Sequence, residues 1–168
     1  MPPDELSVHV FYMTSPSIWL CLALFAGPWS LVAAQKPQFI NPSGLTKPTG
    51  YSHVVVTADR RTAYIAGQVA FDSTGAVVGA GDFKAQAEKV YANLRVALAA
   101  VGATFADVVK TTTFITDLKD LPTLREVRGR YLDAAHPPAN SLIPVKALAR
   151  PELLLEIEAV VDLSGKQK

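Results

Sequence analysis

A single α+β domain, a mixed β-sheet with two helices packed on one face, is the fold this sequence predicts. Three observations carry that expectation. Apolar patterning along the chain runs strand, strand, helix, strand, helix, strand, strand, an order that a two-layer architecture accommodates. Residues 82–101 keep a clean helical period, and residues 153–163 alternate so that one side is fully apolar while the other carries two acids. At 168 residues, 49% hydrophobic and 18% charged, the chain has enough apolar material for one sizeable core.

The first segment stands apart from that domain. Residues 6–35 contain no Asp, Glu, Lys or Arg, and residues 18–32 are apolar except at Gly27, Pro28 and Ser30. This run falls short of the roughly 20 apolar residues a membrane helix needs. Val32-Ala33-Ala34 supplies the small side chains that a signal peptidase reads. Residues 1–34 are therefore expected to be a secretory signal cleaved before Gln35. That places the remaining chain in the periplasm or outside the cell, with no stable membrane insertion once the signal is gone. Asp4 and Glu5 sit where such a signal normally carries positive charge. A start at Met13 resolves the conflict, and a cytoplasmic location follows if the segment is a mispredicted start.

Residues 35–50, with Pro37, Pro42 and Pro48, read as an extended lead-in, and residues 51–164 as the domain proper. Two strands, 51–58 and 62–70, meet at the polar turn Asp59-Arg60-Arg61, and Asp72-Ser73-Thr74-Gly75 forms the next turn. The helix over 82–101 repeats Phe83, Ala87, Val90, Leu94, Leu98 and Val101 at three- and four-residue spacing, and Gly102 ends it. A β-branched strand follows at 108–116. Asp120 then caps a second helix with Pro122 in its first turn and Leu124, Val127 and Tyr131 on one face, stopped by Pro137-Pro138. Closing strands at 140–147 and 153–163 flank the turn at 149–152.

Composition excludes several functions. Without residues 1–34 the chain has 16 basic and 13 acidic side chains, a formal charge of +3, too mild to license binding to nucleic acid or a membrane surface. There is no basic stripe, no paired histidines and no stacking aromatic on a strand face, so ribonuclease chemistry has no support. Cys21 is the one cysteine and lies in the expected signal, which removes disulfides and thiol nucleophiles. His53 and His136 are too isolated for a metal site, and no phosphate loop, zinc spacing or nucleophile elbow occurs.

The last strand is the chemically informative element. Leu153, Leu155, Ile157, Ala159 and Val161 suit the helices, which turns Leu154, Glu156, Glu158 and Val160 to a side that two layers leave uncovered. Half-buried acids in an apolar run point to a cleft or to a subunit interface, so a homo-oligomer with sites between chains is expected.

Five strings add a family likeness: Tyr64-Ile65-Ala66-Gly67-Gln68, Gly102-Ala103-Thr104, Asp107-Val108-Val109-Lys110-Thr111-Thr112, Pro138-Ala139-Asn140-Ser141 and Glu156-Ile157-Glu158-Ala159. In this order, from about Pro42 to Asp162, the chain resembles the Rid family of reactive intermediate (imine) deaminases. The resemblance implies a chorismate-mutase-like fold assembled as a homotrimer, with three small-molecule clefts between subunits. In deaminating members an Arg holds the substrate carboxylate and a Glu places the water that attacks the C=N carbon of a 2-imino acid. Ammonia leaves, without metal or organic cofactor. Carried onto this chain, the resemblance puts Tyr51 on the cleft wall, Gly67 at a backbone contact, Asn140 where the Arg would stand and Glu156 beside the water.

Asn140 is the main departure. A guanidinium offers a permanent charge and a two-pronged fork, while an amide offers single neutral hydrogen bonds worth about 1 kcal/mol against roughly 1.5–3 for charged ones. Ala66 stands where deaminating members usually carry Ser, and Leu142 replaces a small polar residue or Cys. Each position also has a plain structural reading. Glu156 and Glu158 could bond backbone groups at an interface, Tyr51 could be an ordinary half-buried aromatic, and Gly67 could only permit close approach in a strand. Asn140 could bond within its own turn. Arg125 and Arg128, on one helix face beside Glu126 and Asp133, read as solvated surface, with Arg150 a weaker candidate for the missing cation. Two functions remain open: a hydrolase of the 2-iminobutanoate/2-iminopropanoate deaminase type, acting on small imines or enamines, and a non-catalytic trimer that binds a small molecule.

Overall fold

The computed structural model describes residues 35–166, so the expected secretory segment lies outside the described residues. In chain order the elements are β1 (Gln38–Ile40), β2 (Val54–Val56), β3 (Thr62–Gln68), α1 (Phe83–Ala99), β4 (Val108–Ile115), α2 (Leu121–Arg128), β5 (Ala139–Pro144) and β6 (Leu155–Asp162). One six-stranded sheet runs in the order β1-β2-β3-β6-β4-β5. Every neighbouring pair is antiparallel except β4 and β5, which are parallel and joined through α2. This is the mixed α+β sheet that the patterning predicts. Among the described residues no helix is long and apolar enough to cross a membrane.

The core lies between the sheet and the helices. Phe83, Ala87, Val90, Leu94 and Leu98 of α1 are buried against Ile65 of β3 and against Leu155, Ile157, Ala159 and Val161 of β6. Fully burying one such side chain contributes roughly 1.5–3 kcal/mol, so this layer dominates stability. Asp82 caps α1, its side chain accepting from the Ala85 N–H at 3.1 Å. Gly102, at φ 68°, lets the chain leave in a conformation other residues resist. Two polar side chains are buried in α1 and hydrogen-bonded to the backbone of other segments. Asn93 donates to the carbonyls of Val69 and Phe71, each at 2.9 Å. Gln86 donates to Glu152 O at 2.7 Å and Gly79 O at 3.2 Å and accepts from Leu154 N at 2.9 Å.

Four details differ from the sequence expectation. The lead-in contains a strand, β1, which pairs with β2 between Pro37 and Pro42. The first expected strand is shorter, covering Val54–Val56 rather than 51–58. Asp120 precedes α2 without a side-chain cap bond, and Asp117 instead caps the 3-10 turn before it, accepting from Lys119 N. Finally, α2 ends at Arg128, well before Pro137-Pro138. Gly129 follows, a residue that costs about 1 kcal/mol relative to alanine inside a helix. Tyr131 then stacks on Tyr91 with centroids 4.8 Å apart, drawing the chain off the helix axis.

Candidate functional site

The side of the sheet away from the helices carries the acids, as the alternation in the last strand requires. Glu156, Glu158 and Val160 of β6 point there, while Leu155, Ile157, Ala159 and Val161 are buried toward the helices. Strand register extends this open side into rows. Phe39, Val55, Tyr64, Val160 and Lys110 are successive cross-strand partners, followed by Glu158 with Thr112 and Ser141, then Glu156 with Phe114 and Ile143. Phe39 is 68% exposed and Tyr64 53%, so aromatic side chains do stand on an exposed strand face, contrary to the sequence expectation. Their setting does not suit a phosphate backbone. The ionisable groups in those rows are two acids and one lysine, and Lys110 donates to Ser141 Oγ at 2.6 Å.

A bulge positions Glu156. Between Ile65 and Gln68 the β3–β6 register slips, so that Ala66 and Gly67 occupy an irregular step. A β-carbon at Gly67 would land on the Glu156 carboxyl and crowd its Cδ and Cγ, so the missing side chain is the space the acid occupies. Gly67 also lines a recess with Tyr51 and His53, of only about 10 Å³. Tyr51 is 48% exposed and its ring meets His53 edge-on at 5.2 Å. His53 is structural: Nε2 lies 2.8 Å from Thr46 O, and Gln68 Nε2 approaches Nδ1 at 3.4 Å. Gly67 thus borders both the recess that Tyr51 lines and the Glu156 carboxyl. Burial pushes the Glu156 carboxyl above the usual carboxylate range, and the charge of Glu158 adds to the shift. Glu158 itself lines a shallow depression of about 280 Å³ with Ser52, Ala66 and Lys110.

Asn140 lies elsewhere. It pairs with Thr111 across the parallel β4–β5 ladder, and its Nδ2 donates to Thr111 Oγ1 at 2.7 Å and Thr113 Oγ1 at 3.2 Å. Both threonines are buried, at 7% and 4% exposure, on the side that faces the helices. Within one chain Asn140 and Glu156 therefore occupy opposite faces of the sheet, and Leu142 shares the face of Asn140.

Around Asn140 is a cavity of about 380 Å³ whose wall includes Arg125, Arg128 and Asp133. Arg125 is exposed and Arg128 half-buried, in keeping with a solvated surface, and both also line the cavity that contains the residue at the expected cation position. Helix spacing put them on one face, but only the return of residues 129–138 encloses that face. Arg150, the other cation considered, is engaged elsewhere, stacking over Phe71 at 4.7 Å and donating to Gly75 O at 3.2 Å.

Comparison with known proteins agrees with this architecture. The family described as Endoribonuclease L-PSP matches residues 44–163. Protein DfrA of Myxococcus xanthus is 38% identical over 126 residues, 75% of this chain and 88% of that protein. The 2-iminobutanoate/2-iminopropanoate deaminase of Homo sapiens is 34% identical over 110 residues, 66% of this chain and 77% of the human protein. Among solved structures, RidA from the Antarctic bacterium Psychrobacter sp. PAMC 21119 superimposes with a TM-score of 0.68 at 34% identity, covering 74% of this chain and 98% of that one.

Proposed function

This chain belongs to the endoribonuclease L-PSP family, the Rid family of the sequence reading, and we propose that it hydrolyses small imine or enamine compounds to carbonyl compounds and ammonia in a cleft shared between copies of itself. The observation that carries the proposal is the Glu156 carboxyl seated in the space left by Gly67, its proton affinity raised, where Gly67 also borders the recess lined by the half-exposed Tyr51. A carboxyl whose pKa moves toward neutral exchanges protons more readily near pH 7 than an ordinary surface acid. Glu156 takes a proton from water as the water oxygen bonds to the C=N carbon, and passes that proton to the nitrogen. It then takes the hydroxyl proton of the resulting carbinolamine and delivers it to the amino group, which leaves as ammonia as the C=O bond forms. One water is consumed and one ammonia released, so no redox partner is needed. An enamine enters through its imine tautomer.

The assembly proposed is a homotrimer. It is supported by the exposed Phe39, Tyr51, Tyr64 and Ile143, which another subunit would cover. It also accounts for Asn140 and Glu156 facing apart in one chain: a ligand reaches both only when a neighbouring subunit supplies one of them. A second reading, a trimer that binds a small molecule without turnover, is favoured by one observation. The Asn140 amide hydrogens are already given to Thr111 and Thr113, so the residue at the expected clamp position donates nothing further to a carboxylate.

Ammonia release from freshly generated 2-iminobutanoate, with natural protein and Glu156→Gln, separates the two. Hydrolysis predicts release above the uncatalysed rate that falls about 100-fold or more in the variant. Release no faster than in buffer, with ligand still bound, leaves the binding reading. A monomer by light scattering at working concentration rejects the shared cleft.

A further inference from the structure

We propose that Arg125 and Arg128 hold the carboxylate of a small 2-oxo, 2-imino or 2-amino acid in the cavity walled by Asn140. The inference deepens the proposed function and rests on it for the identity of the acid, but the binding it describes does not require hydrolysis.

Basic side chains near α2 are matched with acids: Lys84 with Glu126 at 2.9 Å and Arg130 with Glu88 at 2.8 Å. Among the described residues, Arg125 and Arg128 make neither an ion pair nor a side-chain hydrogen bond. Asp133, on the same cavity wall, is otherwise occupied, accepting from Ala135 N at 2.9 Å and bonded to His136 Nδ1 at 3.0 Å. Two arginines and one committed aspartate are therefore the charged residues of the cavity wall, a net positive setting.

An ordinary alternative exists for both arginines. They occupy the last turn of α2, where a cation interacts favourably with the helix dipole and can bond the final carbonyls. Those carbonyls, however, are already used. Arg125 O accepts from Gly129 N at 3.0 Å, Val127 O from Arg130 N at 3.1 Å, and Arg128 O from Tyr131 N and Leu132 N at 3.0 and 3.1 Å. The guanidinium donors, exposed at Arg125 and half-buried at Arg128, are left to solvent or to a ligand.

The site is also suited in size and shape. Arg125 and Arg128 are three residues apart and so project from the same face of α2. A volume of about 380 Å³ lies within the range of small-molecule sites and exceeds what a bare water cluster needs. Asn140, held by two buried threonines, is a neutral part of the same wall. Planar guanidinium groups match a carboxylate in a way that a lysine would not. The cation absent at position 140 is thus supplied from the helix packed over it.

The test is a titration of the purified protein with 2-oxobutanoate, a stable acid, and with 2-oxobutanamide, its uncharged counterpart, followed by calorimetry. The natural protein should bind the acid at least about tenfold more tightly than the amide, and the double variant Arg125→Gln, Arg128→Gln should bind both alike. Arg128→Lys, which keeps charge and loses the fork, should recover part of the difference. Thermal melts read the dipole role separately, since that role lowers stability without touching acid binding. Equal affinity for acid and amide in the natural protein, or an acid preference that survives the double variant, overturns the proposal. Arg-dependent binding with no ammonia release rejects only the hydrolytic reading; release with no Arg-dependent binding rejects only this one.

Discussion

The bulge at Ala66 and Gly67 and the edge strand β5 handle polar groups in opposite ways. At the bulge a carboxyl is drawn over a glycine, half buried, beside a second acid, and its proton affinity rises. At the edge the Asn140 amide nitrogen is paired with two buried hydroxyls. The first arrangement costs stability at neutral pH and leaves the carboxyl without a partner among the described residues to hold its charge, as the proposed hydrolysis requires; the second adds stability. Reactive and structural polar residues in this sheet are told apart by whether their bonds are complete.

The sharpest way to break that contrast is Gly67→Ala. The new methyl displaces the Glu156 carboxyl, while the φ of Gly67 lies outside the left-handed region that penalises side chains. Ammonia release should fall by about 100-fold, toward the level of Glu156→Gln, with little change in melting temperature. A variant that unfolds instead would mean the bulge is structural. At the edge the balance should reverse. Asn140→Ala strips a partner from Thr111 and Thr113 and should cost about 1–2 kcal/mol in urea unfolding, with a smaller effect on turnover than Gly67→Ala. The smallest effect sharpens the comparison through pH. The Glu156 carboxyl binds its proton more tightly in the folded than in the unfolded chain. Its contribution to stability is therefore full below the ordinary carboxylate pKa and is lost as pH rises through the raised one. Glu156→Gln cannot ionise, so it should melt higher than the natural protein at pH 7 and near it at pH 4. A lower melting temperature at pH 7 would show that the ionised carboxylate stabilises the fold.

Much of this sheet could be read before its shape was known. The period of two in β6 placed both acids on the uncovered side, and the three- and four-residue spacing of α1 identified its buried face. Tyr51, Gly67 and Glu156 followed from family likeness; Gly67 lies against the Glu156 carboxyl and lines one recess with Tyr51. What escaped depended on partners distant in sequence. β1 has three residues and no alternation to detect; it is a strand because β2 pairs with it. The side on which Asn140 sits is set by its register against Thr111, which nothing local to Pro138-Ala139-Asn140-Ser141 encodes. Arg125 and Arg128 carried the right spacing, but their cavity exists only once α2 stops at Gly129 and the chain folds back.

Gln86 ties these observations to the placement of the acid. Its carbonyl receives the N–H of Leu154, one residue before β6 begins, while its amide holds Glu152 and Gly79. The starting point of the last strand is thus dictated from the helix layer, two residues ahead of Glu156. The Leu154 amide should exchange with solvent deuterium only when α1 lifts off the sheet, which makes that single proton a clock for how long the acid keeps its station.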